Sequence, residues 1–371
     1  INFLQGLRDM LAGNSASSVD VTVKWDGAPA VFAGTNPEND QFFVGTKGVF
    51  AKNAKINYTD TDIDNNHSGG LAEKLKVALK ELSKVNIQGV LQGDMMYTHN
   101  DITKETIDGE PYITFQPNTI VYAIPVNSKL AAKILSSNMG IVWHTTYSGD
   151  TMEDMTASFG VSSGAFSESS SVWQADASFK DHSGSATMTS KETDNVTKIL
   201  SQAGKVFRQI DSNTLAKVAG DPTPKELIKT YNNKMVREGQ KISNTRKHTA
   251  GVIKFVYDKL KADVDKVKRE NTKKEKQRKM DLYVDFFRDH SSDLVKIFAL
   301  QNLLIDAKLL IVRKLEQVKS IKTLMKTSTG FKVTAPEGFV AIDKLKGGAV
   351  KLVDRLEFSM QNFNAAKNWD K

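Results

Sequence analysis

The chain has 371 residues, of which 40% are hydrophobic and 25% charged, and it carries a formal net charge of +8. That length allows two domains, or one domain with a large insertion, and the composition is that of an ordinary globular protein. Zero cysteine excludes disulfides, thiolate metal sites and a cysteine nucleophile, and it suits a reducing cytoplasm, the host's if the chain is viral. No apolar run reaches the roughly 18 residues of a membrane span, so no membrane partner is expected.

The start, Ile1-Asn2-Phe3-Leu4, lacks the basic and apolar regions of a signal peptide, and the missing Met points to a few trimmed residues. Residues 19–126 then read as α/β with many strands. Val19–Trp25, Ala30–Ala33, Phe42–Gly45, Val90–Met96 and Thr119–Val126 are short β-rich runs bounded by Gly, Asn, Pro or Asp. Between them, Leu71, Leu75, Ala78, Leu79 and Leu82 recur at helical spacing over Leu71–Val85. Residues 141–147 are a further strand.

Residues 148–193 are rich in Ser, Thr and Gly, as a connector would be, although Ser171–Phe179 alternates like a strand. Asn195–Ala219 reads as helical, and so does almost everything from Thr223 to about Lys326, most clearly Ile253–Val267 and Asp293–Met325. Lys268–Lys279 is polar enough to be only an exposed helix or a loop. Gly330–Asp343 and Gly348–Glu357 return to strand patterning. The layout is a β-rich body interrupted by a helical block and then resumed. Charge follows the same division. Residues 222–290 hold 19 Lys and Arg against 10 Asp and Glu, a net +9, so the remainder is close to neutral. A basic segment on a neutral body is the footprint of a phosphate-backbone binder, or of a salt-bridged solvated helix face.

Four segments carry chemistry. Lys24-Trp25-Asp26-Gly27 puts a lysine at the mouth of a strand, followed by a carboxylate and a turn-permitting glycine. To attack phosphorus that lysine must shed its proton, which takes desolvation or neighbouring cations. A charged hairpin end would use Asp26-Gly27 in the same way. Asp94, in Gln92-Gly93-Asp94-Met95-Met96, is an acid inside an apolar run, a costly placement unless it binds a ribose hydroxyl or a divalent metal, or ends a strand. Tyr122 sits in the apolar run Thr119–Val126, where it can stack on a purine or fill the core. Glu337-Gly338-Phe339-Val340 offers a metal-binding carboxylate, and Lys351 lies within Ala349-Val350-Lys351-Leu352-Val353. A lysine inside an apolar strand seeks an anion such as triphosphate, or snorkels to solvent. Six scattered histidines make no zinc spacing.

In that order these segments resemble the covalent nucleotidyltransferase superfamily of ATP-dependent DNA ligases, RNA ligases and mRNA capping enzymes. Lys24-Trp25-Asp26-Gly27 matches motif I, Gly93-Asp94 stands where motif III has Gly-Glu, and Tyr122 lies in the strand resembling motif IIIa. Glu337-Gly338-Phe339-Val340 matches motif IV, most like phage-type RNA ligases, and Ala349–Val353 resembles motif V. The resemblance implies an α+β nucleotidyltransferase (adenylation) domain with antiparallel sheets over 1–190 and 327–371. A mostly α-helical basic insertion, 191–326, would clamp nucleic acid. It implies ATP and Mg²⁺, with Lys24 carrying AMP, Asp26 assisting, and Lys351 on the α-phosphate. Trp25, Gly27, Lys47, Asp94, Tyr122 and Glu337 would hold the nucleotide, with Asp94 and Glu337 also on the metal. The implied activity is sealing of 5′-phosphate and 3′-hydroxyl ends of DNA, RNA or a hybrid by a chain expected to be monomeric. Where the family often has Arg two residues past the motif I glycine, this chain has Pro29. No OB-domain follows motif V, which argues against the alternative of GTP-dependent capping. The other alternative is a non-catalytic nucleic-acid-binding or structural protein with a decayed ligase fold.

Overall fold

The computed structural model describes residues 1–13, 19–162, 164–177, 187–316, 322–327, 330–333, 338–343, 349–354 and 356. In chain order these form α1 (Asn2–Leu11), β1 (Val19–Lys24), β2 (Ala30–Thr35), β3 (Phe42–Gly45), α2 (Asp60–Asn66), α3 (Gly69–Leu82) and β4 (Val90–Thr98). There follow β5 (Thr103–Ile107), β6 (Glu110–Phe115), β7 (Val121–Pro125), α4 (Lys129–Leu135), β8 (Met139–Ser148), β9 (Thr156–Phe159) and β10 (Val172–Asp176). The helical block comprises α5 (Ser190–Phe207), α6 (Ser212–Gly220), α7 (Pro222–Arg237), α8 (Thr245–Asp265), α9 (Glu270–Asp289) and α10 (Ser291–Leu315). The chain closes with β11 (Lys322–Thr327), β12 (Gly330–Val333), β13 (Gly338–Asp343) and β14 (Ala349–Leu352). This is an α+β protein with mostly antiparallel sheets. None of the described helices is long and apolar enough to cross a membrane.

The chain divides into two units. The α/β unit contains three sheets, ordered β1-β13-β14, β10-β8-β4-β2-β3 and β12-β11-β7-β6-β5, with β9 added beside β8. Period-2 alternation decides which face of the six-stranded sheet is core. On β4, Leu91 and Met95 join Val31, Ala33, Met139, Ile141 and Trp143 beneath α3, whose Ala72, Leu75, Ala78 and Leu82 pack on them. The intervening β4 positions, Gln92 and Asp94, stand on the opposite face. The helical unit takes its own core from Leu227, Val252, Val256, Met280, Val284, Phe287, Leu294 and Phe298. Its helices start on clear local signals. Thr189 and Glu192 form a capping box at α5, Asp211 caps α6, and Asn244 caps α8.

Three features differ from the sequence expectation. Helical patterning stops at Leu315, and β11 is a strand paired with β7, Thr323 against Tyr122 and Leu324 against Val121. A short apolar run has no intrinsic period strong enough to choose helix over strand, and the open side of β7 decides it. The Asn195–Ala219 pattern is likewise two helices, broken where Asp211 caps the second. The units also divide the chain away from the expected 190/191 and 326/327 boundaries. The described residues 1–13, 354 and 356 belong to the helical unit, and those from 314 to 353 to the α/β unit. The α1 helix joins α5, where Arg8 Nη1 donates to Thr197 Oγ1 at 3.0 Å.

Leu75 is fully buried under the six-stranded sheet. Leu75→Ala is expected to cost roughly 2–5 kcal/mol through lost burial and the cavity it leaves, read as a lower midpoint in urea unfolding.

Candidate functional site

β1 ends on Lys24, and the five residues after it carry the chain from the three-stranded sheet into the six-stranded one. Thr22 and Lys24 share one face of β1 by alternation. Thr22 is registered against Val340, and Val340 against Lys351. Lys351 therefore stands on the same face, two strands and roughly 10 Å from Thr22. Lys24 itself is paired with Gly338. A Cβ at Gly338 would fall 2.4 Å from the Leu352 carbonyl oxygen, and its φ of +137° disfavours any side chain. Glu337, the expected metal ligand beside it, lies outside the described residues.

Asp94 arrives from the other sheet. The Gly27–Pro29 stretch runs along β4, with Ala28 N–H donating to Met95 O at 2.9 Å and Met95 N–H to Pro29 O at 3.0 Å. A Cβ on Gly27 would lie 2.5 Å from the Asp94 Cβ. The motif glycine thus works by letting the loop pass against β4 at Asp94. On β8 the register steps from Thr145 opposite Gln92 to Trp143 opposite Gly93, which makes His144 an extra, bulged residue. The bulge flips the strand's phase. Trp143 stays in the core, while Val142, His144, Thr145 and Tyr147 all reach the Asp94 side.

These elements enclose a cleft of about 470 Å³ lined by Lys24, Trp25, Asp94, His144 and Lys351, with Thr22, Gln92, Thr145, Tyr147 and Phe159 around them. Small-ligand sites commonly measure ~300–1,000 Å³. Among the described residues its charged groups are two lysines and one carboxylate. His144 Nε2 is 3.7 Å from Asp94 Oδ1, and His144 Nδ1 is 2.8 Å from Thr145 Oγ1. Phe159 is 48% exposed on the exposed strand β9, and Tyr147 donates its hydroxyl proton to Gln92 Oε1 at 2.9 Å. Two cations facing one acid, with aromatic walls, can take a phosphorylated aromatic ligand.

Asp26 and Tyr122 sit elsewhere than expected. Asp26 is 3% exposed and lies behind the cleft wall. Its carboxylate accepts from Asn118 Nδ2 at 2.8 Å and from the Thr119 and Ile120 N–H groups at 2.7 Å each. Its own N–H donates to the Tyr122 hydroxyl at 2.8 Å. Tyr122 is fully buried and stacks behind Trp25, centroids 5.4 Å apart. Trp25, not Tyr122, therefore lines the cleft, together with Tyr147 and Phe159. A strand after an apolar run reads the same whether its aromatic faces ligand or core, and only packing separates the two. Lys47 is exposed at the end of β3, apart from the cleft lining. His144, Gln92, Tyr147 and Phe159 are cleft residues that no motif singled out. Gln92 could have been read from its alternation with Asp94 and His144 from its alternation with Trp143, whereas the bulge that turns Thr145 and Tyr147 to the cleft has no sequence signal.

Burial raises the Asp26 carboxyl above its ordinary 3.8, against the opposing hydrogen bonds from Ile120, Asn118 and Thr119 and the charge of Lys24. The folded chain therefore holds this proton more tightly than the unfolded chain does. Its contribution to stability is full below the unfolded carboxyl value and declines as pH rises through the raised folded one. Asp26→Asn should flatten that decline. Urea unfolding of both proteins from about pH 4 to about pH 7 tests it, and parallel curves would count against the assignment.

No curated protein and no solved structure matches this chain. A protein-family model matches residues 1–367, so the chain belongs to the family of unknown function designated DUF6267.

Proposed function

We propose that the chain is an ATP-dependent polynucleotide ligase that works through a covalent lysyl-AMP on Lys24. The observation that carries this reading is that Lys24, Asp94 and Lys351, from three segments far apart in sequence, line one cleft of nucleotide size. Trp25, the residue after the lysine, and Tyr147 and Phe159 supply apolar walls for a base, and Gln92 and Thr145 offer polar contacts to a ribose.

In the first step the neutral Lys24 amine forms an N–P bond to the α-phosphorus. The bond to the bridging oxygen breaks, pyrophosphate leaves with the electron pair, and the amine proton passes to solvent. Next a polynucleotide 5′-phosphate oxygen attacks the same phosphorus, and the N–P bond breaks back to the lysine. Finally a 3′-hydroxyl attacks the 5′-phosphate, AMP departs and the strand is joined. Lys351 opposes the negative charge that builds on the phosphoryl oxygens. The buried Asp26 acts by fixing the loop that presents Lys24.

A Mg²⁺ ion fits this donor set, because one carboxylate plus substrate phosphate oxygens is a common way of holding it. Asp94 would be the protein ligand. Among the described residues no group of three or more acids and histidines forms a metal site, so substrate oxygens would complete the shell. The ion would supply positive charge against the phosphates. The net +9 segment 222–290 would hold the polynucleotide backbone.

Intact-protein mass after incubation with Mg²⁺ and ATP tests the reading, on protein first treated with pyrophosphate to strip any resident AMP. One added adenylate is expected, and none with Lys24→Ala. A guanylate adduct with GTP would move the reading to a capping-type enzyme. No adduct with either nucleotide would leave a non-catalytic nucleic-acid-binding protein. Lys351→Ala should slow adduct formation by roughly 10²–10³-fold, as loss of a transition-state charge contact does, in a quench time course.

A further inference from the structure

One histidine lines the cleft beside Asp94, and no step of the ligation uses it. His144 follows Trp143 on β8, and alternation turns it from the core to the Asp94 side. Its Nε2 stands 3.7 Å from Asp94 Oδ1. Hydrogen bonds from N–H to oxygen span about 2.7–3.2 Å, so the two groups face each other without a direct bond. Both side chains are partly exposed, at 28% and 23%, and so are open to a ligand in the cleft.

The other nitrogen of the ring is already held. His144 Nδ1 lies 2.8 Å from Thr145 Oγ1, and Thr145 is buried. In the tautomer with its proton on Nδ1, the ring donates to that hydroxyl and presents the Nε2 lone pair to Asp94. Metal-binding histidines commonly use their second nitrogen in this way, which fixes both ring and tautomer. A lone pair aimed at a carboxylate oxygen is an unfavourable pairing until a cation comes between them.

The spacing suits such a cation. With bonds of about 2.1 Å, two donors on one ion stand from about 3.0 Å apart, at a right angle, to about 4.2 Å, in line. The 3.7 Å gap falls inside that range. It is set by strand pairing, since β4 and β8 are neighbours in one sheet. Imidazole nitrogen also selects the kind of ion. Mg²⁺ takes oxygen ligands in strict octahedral geometry, whereas a nitrogen and carboxylate pair suits Zn²⁺, Co²⁺ and their first-row neighbours. Among the described residues no third acid or histidine joins the pair. Positions are therefore left for substrate oxygens, as catalytic metal sites leave them. Lys24 and Lys351 line the same cleft, and the charge of the substrate phosphates offsets theirs.

We infer that Asp94 and His144 together bind a divalent first-row transition ion of the Zn²⁺ or Co²⁺ class in preference to Mg²⁺, with nucleotide phosphate oxygens completing its shell. This rests on the reading of the cleft above and narrows the ion that serves it. Asp94 with substrate oxygens alone takes Mg²⁺, and the pair takes an ion with affinity for nitrogen.

The test is a titration of the tag-free full chain, first stripped with a chelator, with Co²⁺ alone, followed by equilibrium dialysis and visible absorption. One His144-dependent Co²⁺ per chain is expected, and it should be retained in about tenfold excess of Mg²⁺. His144→Gln should weaken binding by more than the roughly 10–100-fold that loss of a supporting partner costs, and Thr145→Val, which removes only that partner, by an amount within that range. Circular dichroism checks that both variants keep the fold, and the Mg²⁺ competition needs no variant. Absence of saturable uptake, displacement of Co²⁺ by Mg²⁺ at equal concentration, or unchanged affinity in His144→Gln would overturn the proposal. If Co²⁺ uptake depends on His144 but no adduct forms on Lys24 with either ion, the ligase reading fails and the metal pair stands. An adduct formed with Mg²⁺ and ATP, together with Co²⁺ uptake independent of His144, gives the reverse.

Discussion

One buried carboxylate fixes the geometry on which the cleft depends. Asp26 leaves water to accept three hydrogen bonds from residues 118–120, while its own N–H is taken by the Tyr122 hydroxyl. Burying a charge is expensive, and these hydrogen bonds offset only part of the cost, since burial still raises the carboxyl. The arrangement ties three sheets together. Lys24 ends a strand of the first, Gly27–Pro29 runs along β4 of the second, and residues 118–120 lead into β7 of the third. The lysine is held from behind by the residue two places later, without that residue entering the cleft.

The opposite wall is set by an irregularity. If β8 alternated regularly, Tyr147 would follow Trp143 into the core beneath α3. The extra residue moves the strand half a period and delivers Thr145 and Tyr147 to the side of Asp94, where alternation from Trp143 already places His144. The result is a polar cleft built on strands that are apolar on their other face. Strands hold such side chains more rigidly than loops do, which favours phosphate chemistry, where placement of charge does most of the work.

The helical unit distributes its charge by a different rule. Residues 222–265 hold 10 Lys and Arg against 5 Asp and Glu, and some of these cations are paired with acids at one-turn spacing, as in Lys229–Glu226, Lys254–Asp258 and Lys261–Asp265.

The sequence by itself determined most of the elements and the identity of the reactive groups. Short β-rich runs bounded by turn residues marked β1, β3 and β4, residues 141–147 marked β8, helical spacing marked α3 and the long helices, Asp94 and Lys351 were legible as polar residues at costly positions in apolar strands, and Lys24 as a lysine at the mouth of one. These signals are local, a matter of period and of one residue against its neighbours. What only the tertiary structure decided is everything that depends on which surface lies across from a residue. Tyr122 and Trp25 are both aromatics beside strand ends, yet one is core and the other cleft wall. Asp26 and Asp94 are both carboxylates before or after a glycine, yet one is an anchor and the other faces the cavity. Residues 322–327 are a strand because β7 offers them open hydrogen-bonding groups, and Tyr147 reaches the cleft because of a bulge. Each outcome is fixed by long-range pairing, whose energy has no trace in the order of nearby residues.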